Sequence, residues 1–382
     1  MISSTFHTIM YSKKEQNMKI ENHKYLTEQI ITYIGNKRLL IDEIEKEIIE
    51  IKKELKQGKV ICLDLFSGSG IVARMMKQHS SLIIANDLEK YSFLINNCFL
   101  SNYSDFDETE YVNLLKEVIE KCNKKPVIGI ITENYAPKNE NEITKDDRVF
   151  YTRKNSIFID SFRTYIDEVK EPYKSFMLTQ LITEASIHAN TSGVFKGFYK
   201  NSDTGIGMYG GKGQNALKRI KGSIDIKIPV FSNFDSDYKV YKCDAVELSK
   251  TINADITYID PPYNQHPYGS NYFMLNTIIE NEINSELSKV SGIPRIWNHS
   301  AFNYKSTALS SFEEIISNIK SKYIIISYNN EGFITFEEMN SMLSKYGFVK
   351  NRQIKYNTFK GSRNLNKRNI YTNEYIFVLR KD

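Results

Sequence analysis

Short, continuous apolar runs punctuate the chain at 60–64, 82–85, 239–243, 257–259 and 322–328. Each ends at an acid or at turn-forming residues, the pattern of strands buried on both faces of a parallel sheet. Between them apolar residues recur at helical spacing. Leu40, Ile44, Ile48 and Ile51 predict a helix over 39–55. Similar stretches predict helices at 71–78, 88–103, 111–123, two within 150–186, and further ones at 312–319 and 336–346. A strand at 375–379 closes the chain. Strands alternating with helices make an α/β domain. The helical block interrupts that alternation. The expected organisation is therefore a domain formed by 25–129 and 236–382, with an inserted, mainly helical region at 130–235 and a loose extension at 1–24.

The candidate chemistry sits at the strand ends. Val60-Ile61-Cys62-Leu63-Asp64 runs into Leu65-Phe66-Ser67-Gly68-Ser69-Gly70 and then into a helix. Strand, glycine-rich turn and helix bring a ligand close to backbone and to a helix N-terminus. The glycines do not form Gly-x-Gly-x-x-Gly, and no Gly-Lys-Ser/Thr follows, so neither dinucleotide nor P-loop binding is indicated. Asp64 disfavours phosphate and favours a cationic or hydroxyl-bearing ligand. Asp87 ends the next strand, where such sheets hold ribose hydroxyls. The pair points to a nucleoside without phosphates. Asp244 ends a later strand and either caps the following helix or contacts a bound base. Asp260-Pro261-Pro262-Tyr263 ends the strand at 257–259, because two prolines cannot continue it. The stretch reads either as a bare strand-ending turn or as a site that sets one carboxylate, backbone carbonyls and an aromatic ring side by side, which suits a planar group carrying an NH2.

Charge and composition narrow the partners. The chain of 382 residues carries a net charge of +5, too small by itself to indicate nucleic acid. Lys and Arg nevertheless cluster at 196–227 and 350–381, which fits a polyanion or a solvated face. The glycine-rich, basic stretch 205–215 reads either as a surface loop or as a nucleic-acid contact. In the second reading Lys196, Lys200, Lys212, Lys218 and Arg219, with Lys360 and Arg363 further on, meet phosphate, and Gln214 or Asn215 reads base edges. The 4 cysteines are scattered and the 6 histidines lack ligand spacing, so no disulfide framework and no metal site is expected. No apolar run is long enough to span a bilayer, and no hydrophobic signal region opens the chain, so a cytoplasmic location is expected.

Tyr33-Ile34-Gly35-Asn36-Lys37, Asp64-Leu65-Phe66-Ser67-Gly68-Ser69-Gly70 and Asp260-Pro261-Pro262-Tyr263, in that order, resemble the α-group of N6-adenine DNA methyltransferases. This class contains the Dam-like enzymes and the modification enzymes of restriction systems such as FokI. Ser327-Tyr328-Asn329 and Gly361-Ser362-Arg363-Asn364-Leu365 are similar to later blocks of the class. The insertion is long and matches no recognition region of assignable target. The resemblance implies a Rossmann-like sheet, S-adenosylmethionine as cofactor without a metal, and double-stranded DNA as substrate. Residue by residue, it implies that Tyr33, Gly35 and Lys37 help hold the cofactor. Asp64, Phe66, Gly68 and Gly70 would cradle its methionine part, Asp87 its ribose, and Asp244 and Ala245 its adenine. Asp260, Pro261, Pro262 and Tyr263 would be catalytic, with the target base flipped onto Tyr263. A stand-alone modification enzyme is expected, alongside a separate endonuclease or acting alone. Methylation of RNA or of a glutamine amide, and a decayed fold that only binds nucleic acid, are the competing readings.

Overall fold

The computed structural model describes residues 20–214, 216–357 and 371–382. The strands are β1 (Val60–Asp64), β2 (Ser80–Asn86), β3 (Asp237–Tyr241), β4 (Asn253–Ile259), β5 (Lys320–Asn329), β6 (Gly347–Asn357) and β7 (Tyr371–Lys381). They form one sheet in the order β3-β2-β1-β4-β5-β7-β6. β3, β2, β1, β4 and β5 run parallel, whereas β7 is antiparallel to both β5 and β6. The chain winds outward from β1 to β2 and β3, then returns to place β4 on the other side of β1. The gap between β1 and β4 is thus a switch point, where a crevice opens beyond the strand carboxyl ends. The Rossmann-like α/β sheet matches the expectation.

Side-chain alternation along each strand sorts the core into two faces. Cys62, Ile83, Ile256 and Ile325 pack with the helices Ile41–Leu55 and Ile71–Lys77. Leu63, Ile84, Ile259 and Ile324 face the helices Lys305–Asn318 and Phe336–Leu343. A third cluster joins Arg153–Tyr165 and Tyr173–His188 to Lys90–Leu100, Glu108–Lys124 and Phe273–Glu280. The helical block therefore shares its core with segments on either side of 130–235.

Three features depart from the sequence reading. β6 was expected as no strand at all. It is the edge strand and carries few apolar residues, because Lys350 and Arg352 pair with glutamates of the helix Ile41–Leu55 rather than with a core. β3 lies two residues earlier than expected, since as the other edge strand it is only half-buried. Residues 20–24 are held rather than loose: Glu21 accepts from the Ser232 hydroxyl at 2.5 Å and the Asn233 amide at 2.8 Å. The boundaries 25–129, 130–235 and 236–382 remain a proposed division.

Asn86 ties the strand ends together. Its amide nitrogen donates to Leu65 O at 3.1 Å and Cys243 O at 3.2 Å, and its carbonyl accepts from Cys243 N at 3.1 Å. The side chain is 1% exposed, so no water replaces these bonds. Asn86→Ala is expected to lower stability by roughly 2–3 kcal/mol, as read from the midpoint of urea unfolding.

Candidate active site

Beyond the carboxyl ends of β1, β2, β3 and β4 lies a cavity of about 460 Å³. Its lining includes Tyr33, Gly35, Lys37, Asp64, Phe66, Gly68, Asp87, Asp244, Ala245 and Asp260 to Tyr263. Five stretches of the chain therefore converge on one space. Gly70 lies just behind the wall.

The glycine turn is shaped by close packing. Gly68 and Gly70 have φ of +51° and +76°, a region that favours glycine. A Cβ on Gly68 would fall 2.5 Å from Cε1 of Tyr33, and one on Gly70 would fall 2.7 Å from Oδ1 of Asn96. Asp64 accepts from Ala73 N at 3.0 Å through Oδ2. Its Oδ1 is buried without a hydrogen-bond partner. Burial first, and the charge of Asp260 second, push its carboxyl well above the usual range. Asp87 is braced by backbone, accepting from Gly68 N at 2.8 Å and Glu89 N at 2.9 Å. Burial raises its pKa as well. Asp244 caps the helix Ala245–Ser249, accepting from Val246 N at 2.8 Å, and still lines the cavity.

The segment after β4 secures the N-terminal motif. Tyr33 stacks on Tyr268 and Tyr272, each with ring centroids 5.0 Å away. Tyr272 accepts from Ile34 N at 2.8 Å, and Tyr268 donates to Ile34 O at 3.0 Å. This clasp turns Lys37 inward. Its ammonium lies 2.9 Å from Asp260 Oδ2, 2.8 Å from the Tyr263 hydroxyl, 3.0 Å from Gly35 O and 3.3 Å from Glu374 Oε1. Burial opposes the charge on Lys37, but Asp260 and Glu374 together outweigh it and raise its pKa above that of an ordinary lysine. Lys37 thus stands at the Asp260 end of the cavity. Burial raises Asp260 to about 6; Lys37 opposes that rise and Glu374 adds to it. Tyr263 is braced at its ring and at its hydroxyl. Its ring meets Tyr328 edge-on at 4.8 Å, and its hydroxyl donates to Asp260 Oδ1.

Glu89 and Glu374 are cavity residues that the motifs did not reveal. Glu89 is 3% exposed and is pushed up to about 7 by burial and by Asp87. A second acid two places after Asp87 was its only signal. Glu374 hides because β7 is antiparallel: its first residues lie at the edge where the parallel strands end, so an acid near a strand start escapes a search of strand ends.

The candidate DNA residues scatter more widely. Lys196 sits at the mouth, with Nζ 3.4 Å from Nδ1 of His266, itself a lining residue. Lys200 lies over the Phe198 ring at 4.7 Å. Lys212, Gln214 and Lys218 are exposed. Arg219 instead turns inward and donates to the carbonyls of Ile187, Ala189 and Thr191, ending the helix Tyr173–His188. Its guanidinium serves the fold, because those carbonyls have no partner in the helix itself. Asn215, Lys360, Arg363 and the block 361–365 lie outside the described residues.

Residues 33–342 match the family described as D12 class N6 adenine-specific DNA methyltransferase. The chain belongs to this family. Among similar proteins, the type II methyltransferase M.NlaIII of Neisseria lactamica is 31% identical over 362 residues, covering 92% of this chain and 99% of its own. M.CviAII of Paramecium bursaria Chlorella virus 1 is 31% identical, covering 83% and 89%. M.FokI of Planomicrobium okeanokoites is 27% identical, covering 92% of this chain and 52% of its own. As a D12 class enzyme the chain is an adenine-specific DNA methyltransferase, in preference to the RNA, amide and binding-only readings.

Membership implies S-adenosylmethionine as methyl donor. The cavity fits such a cation. It presents Asp64, Asp87, Glu89, Asp244, Asp260 and Glu374 against the ammonium of Lys37, and the free oxygen of Asp64 awaits a positive donor. Gly68→Ala is expected to weaken S-adenosylmethionine at least tenfold, about 1.4 kcal/mol, in calorimetric titration, because the new methyl group drives Tyr33 out of its stack.

Proposed function

We propose that the chain transfers a methyl group from S-adenosylmethionine to N6 of a target adenine in duplex DNA, as the modification partner of a restriction endonuclease. The observation that supports it best is Asp260, half-buried in the cavity wall beside Pro261 and Tyr263 and paired with Lys37. S-adenosylmethionine, when bound, supplies an electrophilic methyl group. Asp64 and Glu89 would hold its cationic and polar parts, and Asp87 and Asp244 its nucleoside.

An adenine amino nitrogen is a poor nucleophile, because its lone pair is delocalised into the ring. Asp260 and the carbonyl of Pro261 accept its two hydrogens, which draws the nitrogen towards a tetrahedral shape and aims its lone pair into the cavity. Their share in the rate is positioning and fixed polarity. A base inside a duplex cannot reach this depth, so it is flipped out of the helix. The ring of Tyr263 then lies against it. Ser192 and Val194 bring the helical region to the cavity beside His266, where Lys196 meets backbone phosphate. Names of relatives as type II methyltransferases support the restriction-modification role, with cleavage left to a separate cognate endonuclease.

Incubation with labelled S-adenosylmethionine and mixed-sequence duplex DNA, followed by digestion to nucleosides, is expected to place the label in N6-methyladenine. Label in cytosine overturns the base assignment. Asp260→Ala is expected to reduce kcat at least a thousandfold, on the order of 4 kcal/mol, while the cofactor still binds. The acceptor must be ionised, so activity falls as pH drops through about 6, where Asp260 protonates. Lys196→Ala is expected to weaken all duplexes alike and to flatten the plot of log K against log salt by about one unit.

A further inference from the structure

Asp260 is already satisfied from within. Tyr263 donates its hydroxyl to Oδ1, and Lys37 lies 2.9 Å from Oδ2. Each oxygen can accept a second hydrogen bond, but an amino group that enters on the side now held by the phenol displaces it. Among the described residues, one further carboxylate is placed to take over. Oε1 of Glu374 lies 3.2 Å from the Tyr263 hydroxyl and 3.3 Å from the Lys37 ammonium. Glu374 is 3% exposed and faces Asn329 across the β5–β7 ladder, so its backbone is fixed. Its charge helps neutralise the buried ammonium of Lys37. A buried carboxylate with a desolvation cost persists where its charge is used.

We propose that Glu374 is a positioning residue that receives the Tyr263 hydroxyl, and keeps hold of Lys37, when the target amino group takes Asp260. The phenol in the resting site stands in for the substrate N–H. Base entry exchanges one hydrogen bond for another: the phenol leaves Oδ1 of Asp260 and donates to Oε1 of Glu374, and the amino group donates to the vacated oxygen. No buried donor is left unpaired during the exchange, which would otherwise carry the full desolvation penalty. This role rests on the proposed engagement of adenine by Asp260.

The test uses full-length Glu374→Gln, Tyr263→Phe, the double variant and Asp260→Ala. Thermal melting and S-adenosylmethionine calorimetry establish that each is folded and binds cofactor. Glu374→Gln is expected to lose about tenfold in kcat (a factor of ten being about 1.4 kcal/mol), with cofactor affinity unchanged. The acidic limb of its pH profile moves to lower pH, because a negative neighbour that raises Asp260 is gone. Tyr263→Phe moves that limb the other way, because a hydrogen bond that favours ionised Asp260 is lost. In the Tyr263→Phe background Glu374→Gln should cost less, since no phenol needs relocating. Wild-type kcat and pH profile in Glu374→Gln, or fully additive losses, overturn the role of Glu374 while Asp260→Ala remains inactive. Transfer by Asp260→Ala overturns the underlying reading instead. If the glutamine variant is recovered unfolded, Glu374→Asp carries the same test: it keeps the charge, so the pH limb stays while kcat falls.

Discussion

One buried ammonium organises the far end of this cavity. Lys37 is 4% exposed and lies between Asp260 and Glu374. Removing a lysine from water is unfavourable unless the lost solvation is replaced by close opposite charge and hydrogen bonds. Here two carboxylates, a phenol and a backbone carbonyl do so. The reverse also holds: without Lys37, two acids would face each other in a low-dielectric site. The arrangement therefore couples three chain segments, the turn after Tyr33, the end of β4 and the start of β7, so that none can shift without exposing a charge to an unpaired environment.

That coupling depends on a clasp of aromatic rings. Tyr33 lies between Tyr268 and Tyr272, and both phenols bond the backbone of Ile34. Stacking contributes apolar area, and the hydroxyls satisfy a backbone donor and acceptor that no sheet or helix pairs. The same Tyr33 ring covers Gly68, leaving no room there for a side chain. The clasp thus connects the Lys37 turn to the glycine turn after β1. Acidity does the rest. Carboxyl groups outnumber Lys37 around the cavity, and a cation bound there would favour the ionised forms of Asp64 and Asp87, which burial now disfavours, in keeping with the sulfonium donor implied by the family.

The helical region stands in a different relation to the sheet. Its core is continuous with that of the helices Lys90–Leu100 and Phe273–Glu280, so it packs as a side layer and reaches the cavity through residues near Ser192. Arg219 shows how charge there is divided between fold and surface. The residue sits in a basic run, yet its guanidinium closes a helix end. Neighbouring Lys218 and Lys212 remain exposed.

By itself the sequence determined the parallel half of the sheet and the acids at its carboxyl edge. Buried parallel strands are continuous apolar runs, and an acid, glycine or proline marks where burial stops; Val60–Asp64 was legible to the residue for that reason. The order of the three motifs was enough to indicate the family. Tertiary structure decided what depends on direction and on partners. β6 is polar because glutamates of another helix complete it, so its pattern has no apolar period to read. Glu374 belongs to the site because β7 runs backwards, which brings a strand's beginning to the edge where its neighbours end. Tyr263, expected as the ring on which the base stacks, has its hydroxyl held by Asp260 and Lys37, and Lys37 stands at Asp260. Local pattern records how each segment is buried; which charges then meet is set by the packing of segments far apart in the chain.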